Sequence, residues 1–292
     1  MRLSFEPIAL SHQNAYQAYL TKCPQVSSDY GFVNLFGWAE IYGLEIAWTE
    51  KMVFLRQNRP EPLMWAPVGD WLSVDWPACK ADYPDDFSSF VRVPETLANI
   101  WQQAFGGQIV ATADHDMWDY LYDARELREL RGNKFHKKKN LVNQFKKKYT
   151  YTYAAMAGGL ADQAMALQDD WCSWRVCESL SQLEHENQAI MRTLSNWDRL
   201  DGIQGAGIFV DDLIVAYTIG EMLAADTLAI HFEKGCPDYK GSYQAINQLF
   251  LAHQPGTVGW VNREPDLGDE GLRQAKLSYQ PVDYLKKYRI RF

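Results

Sequence analysis

The chain has 292 residues and a formal net charge of −8, which argues against a protein that binds nucleic acid over its whole surface. Apolar residues make up 47% of the sequence, which excludes a disordered chain and can fill one or two cores. The five cysteines are an odd number and form no C-x-x-C pair, so we expect free thiols. No apolar run approaches the ~20 residues of a membrane span, and the protein is expected to be cytoplasmic.

The first half of the chain predicts a helical start, three strands, a helix and a further strand. Apolar residues near helical spacing run from about Ser11 to Tyr42. The segments LEIAWT, MVFLRQ and PLMWAPVG then have the composition of strands. In VPETLANIWQQAF, Pro94 lies near the start and two glycines follow the end, which is typical of a helix, and QIVATAD follows as a strand.

A basic segment, RGNKFHKKKNLVNQFKKKY, contains no acidic residue. In one interpretation, His136, Lys137 and Lys138 bind the phosphate of a tRNA, a nucleotide or a lipid head group. In a second, the lysines form the solvated face of a helix, with its apolar residues buried behind them. In a third, Lys138 points inward and pairs with acids of a loop near the C-terminus.

The second half of the chain follows a similar order. LADQAMALQDDWCSWRVC and SLSQLEHENQAIMRTLSNWDRL are predicted helices, and GAGIFV, LIVAYTIGEML and TLAIHFEKG form a predicted antiparallel meander. A helix at SYQAINQLFLAH, a strand at TVGWVN and a short helix at EGLRQAKLSY follow. The shared order predicts two α/β domains, residues 1–150 and residues 151–292, with no low-complexity linker between them.

The loop within FEKGCPDYKGSYQAIN joins a predicted strand to a predicted helix and is a candidate cofactor-binding loop. Lys240, Gly241, Ser242 and Tyr243 lie where backbone N–H groups and a helix N-terminus can point at an anion. The alternative is an ordinary strand-to-helix loop in which Ser242 is the N-cap of the helix.

The strand AIHFEKG offers candidates for acid–base chemistry. Strand alternation places His231 and Glu233 on one face, with Glu221 near them if the meander pairs. A histidine beside a carboxylate is a reasonable general base because it titrates near neutral pH. A structural histidine with satisfied hydrogen bonds is the alternative.

The segment VNREPDLGDEGLRQAKLSY gathers acids and bases in a short span near the C-terminus. In a functional interpretation, Glu264 or Asp266 would hold or deprotonate an acceptor amine. Arg263, Arg273 and Lys276 would neutralise a phosphate or a carboxylate. The alternative is an internal network of ion pairs that fixes the loop. The scattered histidines predict no metal site.

The order of meander, loop, helix, strand, helix and strand resembles the Gcn5-related N-acetyltransferase fold. Three motifs, LRGNKFHKKKNLVNQF, YKGSYQAIN and NREPDLGDEGLRQAKLSYQP, resemble a bacterial family of unknown function related to the C-terminal domain of phosphatidylglycerol lysyltransferase. The Fem peptidoglycan-bridge aminoacyltransferases are relatives of that family. The resemblance covers nearly the whole chain. It implies an α/β fold of two tandem acetyltransferase-like domains, each a mixed, mostly antiparallel sheet flanked by helices.

The resemblance also implies acyl or aminoacyl transfer to an amine or a hydroxyl. The donor would be acyl-coenzyme A or an aminoacyl-tRNA, held by the loop at Lys240, Gly241 and Ser242, without a metal. The base would be Glu264 or His231. A non-catalytic module that binds an anionic small molecule, a nucleotide or a peptide is the alternative. The oligomeric state and a peripheral contact with a membrane stay open.

Overall fold

The computed structural model describes residues 2–157, 159–175 and 181–292, without the side chains of residues 171–175 and 181. Within them the helices are α1 (Gln13–Leu20), α2 (Phe32–Tyr42), α3 (Trp76–Asp82), α4 (Glu95–Phe105), α5 (Ala124–Glu129), α6 (His136–Lys148), α7 (Gly159–Arg175), α8 (Ser181–Leu194), α9 (Ser242–Ala252) and α10 (Glu270–Leu277). The strands are β1 (Glu6–Pro7), β2 (Glu45–Trp48), β3 (Met52–Gln57), β4 (Leu63–Gly69), β5 (Ser89–Pro94), β6 (Val110–Ala113), β7 (Asp119–Asp123), β8 (Tyr151–Ala155), β9 (Ile203–Val210), β10 (Leu213–Ala224), β11 (Thr227–Gly235), β12 (Trp260–Asn262), β13 (Asp283–Leu285) and β14 (Lys287–Arg291).

The cysteines and the helices bear on two of the expectations from composition. Cys23, Cys79 and Cys236 are free thiols. The side chains of Cys172 and Cys177 lie outside the described residues. Of the helices that the structure describes, none is long and apolar enough to cross a membrane.

The chain divides into two compact units. The first consists of Met1–Asp119, Pro265–Asp269 and Tyr284–Phe292, and the second of Tyr120–Glu264 and Glu270–Asp283. The second unit therefore begins well before the expected division at residue 150, because β7 pairs with β12 and α6 packs against α9. The predicted fold class is confirmed, since each sheet is mixed and flanked by helices.

The two sheets exchange one strand each. One sheet has the order β1-β2-β3-β4-β5-β14-β6 and the other the order β8-β9-β10-β11-β12-β7-β13. In the first sheet, β14 from the second half of the chain lies between β5 and β6. In the second sheet, β7 from the first half of the chain lies between β12 and β13. Tyr288 of β14 pairs with Val93 of β5 and Ala113 of β6, and Tyr122 of β7 pairs with Val261 of β12. Neither half of the sequence therefore contains a complete sheet.

In the first unit the predicted meander is present as β2, β3 and β4, which pair antiparallel. The helix expected from about residue 11 to residue 42 is instead α1 and α2, because a 3-10 turn at Ser28–Tyr30 interrupts it. Gly43 caps the C-terminus of α2 with a left-handed φ of 56°. The short α3 and β5 were not predicted. β5 lies parallel to β4, with Trp65 opposite Val91.

In the second unit β9, β10 and β11 form the predicted antiparallel meander. Thr218 lies opposite Glu233 and follows Tyr217, so Tyr217 and Glu233 point to opposite faces of the sheet. The Tyr217 hydroxyl donates to Gln168 of α7, whereas Glu233 accepts from Asn247 of α9. α7 therefore packs on one face of the meander and α9 on the other. In the sequence, α9 lies between β11 and β12, which pair as parallel strands.

Both units have aromatic cores. Each large aromatic side chain buries a large apolar area. Those that are almost fully buried include Trp71, Trp101 and Phe90 in the first unit, and Phe135, Phe145, Phe250, Tyr122 and Tyr217 in the second. Phe145 of α6 and Phe250 of α9 fall in segments where helical spacing of apolar residues is visible in the sequence.

Candidate functional site

The candidate site lies where two parallel strands of the second unit part. β11 and β12 pair up to Ala229 and Asn262, where β12 ends while β11 continues. His231 of β11 contacts Glu264, and Glu233 of β11 contacts Arg263. Arg263 and Glu264 directly follow β12. The end of the parallel pairing therefore brings together charged residues from both strands.

A bulge in β11 positions His231 at this point. The register of β10 and β11 shifts between Ile219 and Gly220, which leaves His231 without a partner on β10. A side chain at Gly220 would place its Cβ 2.1 Å from the carbonyl oxygen of Ala229. The close approach of the two strands beside the bulge therefore requires glycine at this position.

His231 is held between two carboxylates. Its Nδ1 lies 2.7 Å from Oε1 of Glu264, and its Nε2 lies 2.9 Å from Oε1 of Glu221. Burial alone would lower the pKa of the imidazole, but the hydrogen bonds to the two glutamates outweigh it and raise the pKa of His231 to about 10. The group is therefore an imidazolium at neutral pH and donates to both carboxylates.

Glu264 is the most exposed of these three residues. Its side chain is 20% exposed, against 8% for Glu221 and 0% for His231. Among the described residues, Oε1 has its partner in His231 and Oε2 accepts no hydrogen bond. The backbone of Glu264 is left-handed, with φ of 60°. Its N–H donates to Oδ1 of Asn262 over 2.8 Å, and Lys276 donates to its carbonyl over 3.0 Å. A non-glycine residue held in this strained conformation is typical of functional sites.

Glu233 and Arg263 form a second pair beside the first. Nη2 of Arg263 donates to Oε1 of Glu233 over 2.9 Å, and Asn247 donates to the other carboxylate oxygen over 3.0 Å. The guanidinium lies 4.8 Å from the centre of the Tyr279 ring. Nη1 of Arg263 is buried and has no hydrogen-bond partner among the described residues. The nitrogen Nη1 of the arginine therefore has no hydrogen bond to the described residues, while Nη2 pairs with Glu233.

Lys138 of α6 is a second cation at the Tyr279 ring. Its Nζ lies 4.2 Å from the ring centre, and it forms no ion pair with the described residues. Burial and the charge of Arg263 lower the pKa of Lys138, although Glu233 opposes this. Lys138 thus points inward, as one interpretation of the basic segment expected, but without an ion pair to an acid.

The other predicted anion-binding residues of this unit have different contacts. Nε2 of His136 lies 3.0 Å from the side-chain nitrogen of Asn140, and His136 is exposed. Lys276 is buried and donates to the two backbone carbonyls that follow β12. Arg273 lies 3.7 Å from Glu270, one turn earlier in α10. Lys276 therefore shapes the loop that carries Glu264.

Asp266, the remaining predicted catalytic residue, belongs to the first compact unit. It is buried, and its Oδ1 accepts the N–H of Gly268 over 2.9 Å. The N–H of Asp269 donates to its backbone carbonyl over 2.9 Å. These contacts give Asp266 a role in organising the turn that follows it.

The candidate cofactor loop precedes α9. Gly241 is the N-cap of α9, with a left-handed φ of 92°, and a Cβ at this position would lie 2.4 Å from the carbonyl oxygen of Leu141. The alternative interpretation of the loop placed Ser242 at the N-cap, and the structure has Gly241 there. The Ser242 hydroxyl donates instead to the carbonyl of Cys236 over 3.0 Å. Lys240 is exposed and Tyr243 is half-buried.

The first unit contains a buried ionic cluster that sequence patterns did not predict. Lys287 of β14 forms ion pairs with Asp29 and Asp119, and Arg92 of β5 pairs with Asp29. Arg92 directly follows the last parallel pair of β4 and β5, and its guanidinium lies 3.9 Å from the centre of the Trp65 ring. The two cations are matched by two carboxylates, so this cluster is neutral.

The paired mixed sheets and the parallel strands that part beside α9 define a protein of tandem acetyltransferase-like fold. Its sequence places it more narrowly. The family described as phosphatidylglycerol lysyltransferase, C-terminal, matches residues 21–291. The chain belongs to this family, which confirms the resemblance seen in its motifs.

Three solved structures are similar to this chain over nearly its whole length. A conserved protein of unknown function from Bacteroides thetaiotaomicron is 28% identical, with a TM-score of 0.90 and 99% of each chain covered. L-PGS from Bacillus licheniformis is 13% identical, with a TM-score of 0.63, 98% of this chain covered and 92% of that chain. FemX is 7% identical, with a TM-score of 0.59, 98% of this chain covered and 97% of that chain. The last two likenesses show a shared fold.

Proposed function

We propose that the second unit transfers an acyl or aminoacyl group from coenzyme A or from tRNA to an amine or hydroxyl acceptor. The observation that carries the proposal is Glu264, a partly exposed carboxylate with one oxygen held by His231 and the other without a hydrogen bond from the described residues. Membership of a family named for lysyl transfer supports the same class of reaction.

In the proposed reaction, Glu264 accepts the proton of the acceptor group as that group attacks the carbonyl carbon of the donor. A bond forms between this carbon and the acceptor nitrogen or oxygen. The C–S bond of the thioester, or the C–O bond of the tRNA ester, breaks, and the proton passes to the leaving group. The His231 imidazolium keeps the Glu264 carboxylate in place, and Glu221 fixes the imidazole from its other side.

The loop before α9 is the proposed donor-binding loop. Gly241 sets its left-handed turn, and Lys240 adds an exposed positive charge near the helix N-terminus, which favours an anion. Tyr243 lies in the first turn of α9 and is half-buried. Ser242 supports the loop through its bond to the Cys236 carbonyl and is not assigned a contact with the donor.

The proposal is tested by measuring donor discharge. The purified protein is incubated with labelled acetyl-coenzyme A, or with bulk tRNA charged with labelled amino acids, in the presence of a mixture of amines and alcohols. We expect one donor to be consumed, and Glu264→Gln to slow this about 10²–10⁴-fold, as loss of a general base does. Glu270→Gln, at an acid that is 69% exposed, is the matched control and should keep the wild-type rate.

Two results would count against the proposal in different ways. If the wild-type protein consumes neither donor, it is not the transferase proposed here. If the wild type is active and Glu264→Gln is equally active, the transfer stands and the base is another group.

A binding module for an anionic ligand is the second candidate. The observation that favours it is the pair of cations at Tyr279, Lys138 and Arg263, which only Glu233 balances. Thermal unfolding with coenzyme A, acetyl-coenzyme A and tRNA separates the two candidates when combined with the discharge assay. A ligand at ~100 times its Kd adds about 2.7 kcal/mol to the stability. Stabilisation without discharge would favour the binding module.

A further inference from the structure

We infer that Lys138 and Arg263 form a subsite for a singly charged oxyanion, a carboxylate or a phosphodiester, carried by a substrate of the second unit. The inference adds a ligand class to the proposed function. It rests on the proposed function only in calling the bound molecule a substrate. The binding itself follows from the contacts of the two cations and can be measured without any transfer reaction.

The first argument is the charge balance around the Tyr279 ring. Nζ of Lys138 lies 4.2 Å and Cζ of Arg263 lies 4.8 Å from the centre of that ring. Glu233 is the single carboxylate paired with Arg263, and Lys138 has no ion pair among the described residues. At the ring itself two cations face one carboxylate, while the neighbouring group of His231, Glu221 and Glu264 carries one net negative charge. The excess positive charge is therefore local to the Lys138 ammonium at the ring, in a half-buried place where solvent screens it poorly. One negative charge from a ligand would neutralise it.

The second argument is the hydrogen-bonding capacity that remains. Nη1 of Arg263 is buried without a partner among the described residues, whereas Nη2 is satisfied by Glu233. Buried donors in proteins are almost always paired, because a donor taken from water without a partner is costly. An oxyanion between Nη1 and the Lys138 ammonium would accept from both, as charge-assisted hydrogen bonds.

The third argument is a comparison with the first unit. Arg92 and Arg263 each directly follow the last parallel pair of the fourth and fifth strands of their own sheet. Each guanidinium also lies over an aromatic ring, at 3.9 Å for Arg92 and 4.8 Å for Arg263. In the first unit Asp29 bonds to the arginine and to a buried lysine, so the protein supplies the bridging carboxylate itself. In the second unit an arginine and a lysine stand at the same aromatic ring without such a bridge.

The fourth argument comes from α6. Its first turn carries Lys137, Lys138 and Lys139 and no acid. Positive charge is disfavoured at this end of a helix, because the N-terminus is the positive end of its dipole. A bound anion would offset this arrangement. Of the three lysines, Lys138 is the half-buried one, and Lys137 and Lys139 are exposed.

The experiment measures binding of small oxyanions to the full chain. Acetate and dimethyl phosphate are singly charged probes for the two sources of the ligand, and inorganic phosphate at pH 8 is the doubly charged comparison. Each is titrated at constant ionic strength while the NMR signals of ¹³Cε-labelled lysines are followed. We expect a saturable shift of the Lys138 signal with at least one singly charged probe. Acetate alone would identify a carboxylate, and dimethyl phosphate alone a phosphodiester.

Variants identify the residues that bind. Lys138→Met should weaken binding of the same probe about tenfold, the size expected for a lost charge-assisted contact, measured by the rise in melting temperature with the probe. Lys137→Met, at the exposed neighbour on the same helix turn, should leave the affinity unchanged. Arg263→Lys keeps the charge that pairs with Glu233 and removes the free nitrogen, so it should also weaken binding.

Three outcomes would overturn the subsite: no saturable shift with either singly charged probe, tighter binding of the doubly charged phosphate, or equal affinity in Lys138→Met and the wild type. The proposed function fails separately. Donor discharge in a protein without anion binding would remove the subsite and keep the transferase. Anion binding that depends on Lys138, without discharge of either donor, would keep the subsite and remove the transferase.

Discussion

Nδ1 of His231 lies 2.7 Å from Oε1 of Glu264, and the imidazole is completely buried. The histidine therefore does not face a substrate itself. It is a buried cation that positions a carboxylate, and the glutamate is the group that can meet an acceptor. This relationship makes the stability and the activity of the second unit depend on the same proton.

The pKa of His231 predicts how stability changes with pH. Its value of about 10 in the folded protein lies above the ordinary value of 6.5, so the folded state holds this proton more tightly. The stabilisation is complete below pH 6.5 and is lost as the pH rises towards 10, with a slope of up to about 1.4 kcal/mol per pH unit. Urea unfolding across this range should show the decline in the wild type and a flatter profile in His231→Gln. Parallel profiles would contradict the assignment.

Glu221→Gln should move the pH dependence of activity. Without this carboxylate the pKa of His231 falls, because one of its two charged hydrogen bonds is lost. Loss of the proton removes the charge that strengthens the hydrogen bond to Glu264, so Glu264 is held more weakly from a lower pH than in the wild type. The rate of donor discharge should therefore decline at lower pH in this variant. If the profile is unchanged and only the maximum rate falls, Glu221 acts in another way.

Gly241→Ala should destabilise the protein. Its φ of 92° is unfavourable for alanine, and the added Cβ would lie 2.4 Å from the carbonyl oxygen of Leu141, so we expect a loss of about 1–3 kcal/mol. Gly256→Ala is the matched control, because a Cβ there meets nothing within 4 Å. Urea unfolding of both variants checks the prediction. Equal stability of the two would mean that the start of α9 adapts to a side chain.

Lys287→Met should be strongly destabilising. The lysine is 0% exposed and pairs with Asp29 and Asp119. Removing it takes one buried cation from two buried carboxylates and leaves only Arg92, which pairs with Asp29, so we expect a loss of about 3–5 kcal/mol. Lys286→Met removes a lysine that is 41% exposed and lies 3.2 Å from Glu95, so its effect should stay below about 1 kcal/mol. The difference between the two midpoints of denaturant unfolding is the measurement. A small effect at Lys287 would mean that the two acids find other partners.

The sequence predicted regular elements where the pattern is long. The strands β10 and β11 and the helices α4 and α9 have clear periodicity and clear ends. The elements that were missed, such as α3 (Trp76–Asp82) and β5 (Ser89–Pro94), are short. The compact second unit begins at Tyr120, and the sequence carries no local signal for this, because strand exchange is a property of pairing between distant segments.

The sequence indicated which residues form the candidate site, but few of the contacts between them. His231, Glu233, Arg263 and Glu264 were named from the sequence, and the structure brings them together at the end of β12. The spacing of three residues that grouped Arg273 with Lys276 fixes only a shared helix face. It could not indicate that Lys276 turns to backbone carbonyls.

Other contacts of the site had no signal in the sequence. Asn247 is one polar residue among several in α9, and its bond to Glu233 depends on how the helix lies on the sheet. In the ionic cluster of the first unit, the position of Arg92 depends in the same way on the pairing of β4 with β5. Both contacts join segments whose relative placement is set by tertiary packing.

The exchanged strands set an order of events during synthesis. β6 is made long before β14, which later fills the place between it and β5. Until residues 287–291 have been translated, β5 and β6 present unpaired backbone edges to the surroundings. A chain that stops short of β14 keeps these edges open and is exposed to aggregation or proteolysis. Closure of the first sheet therefore requires that residues 287–291 have been translated.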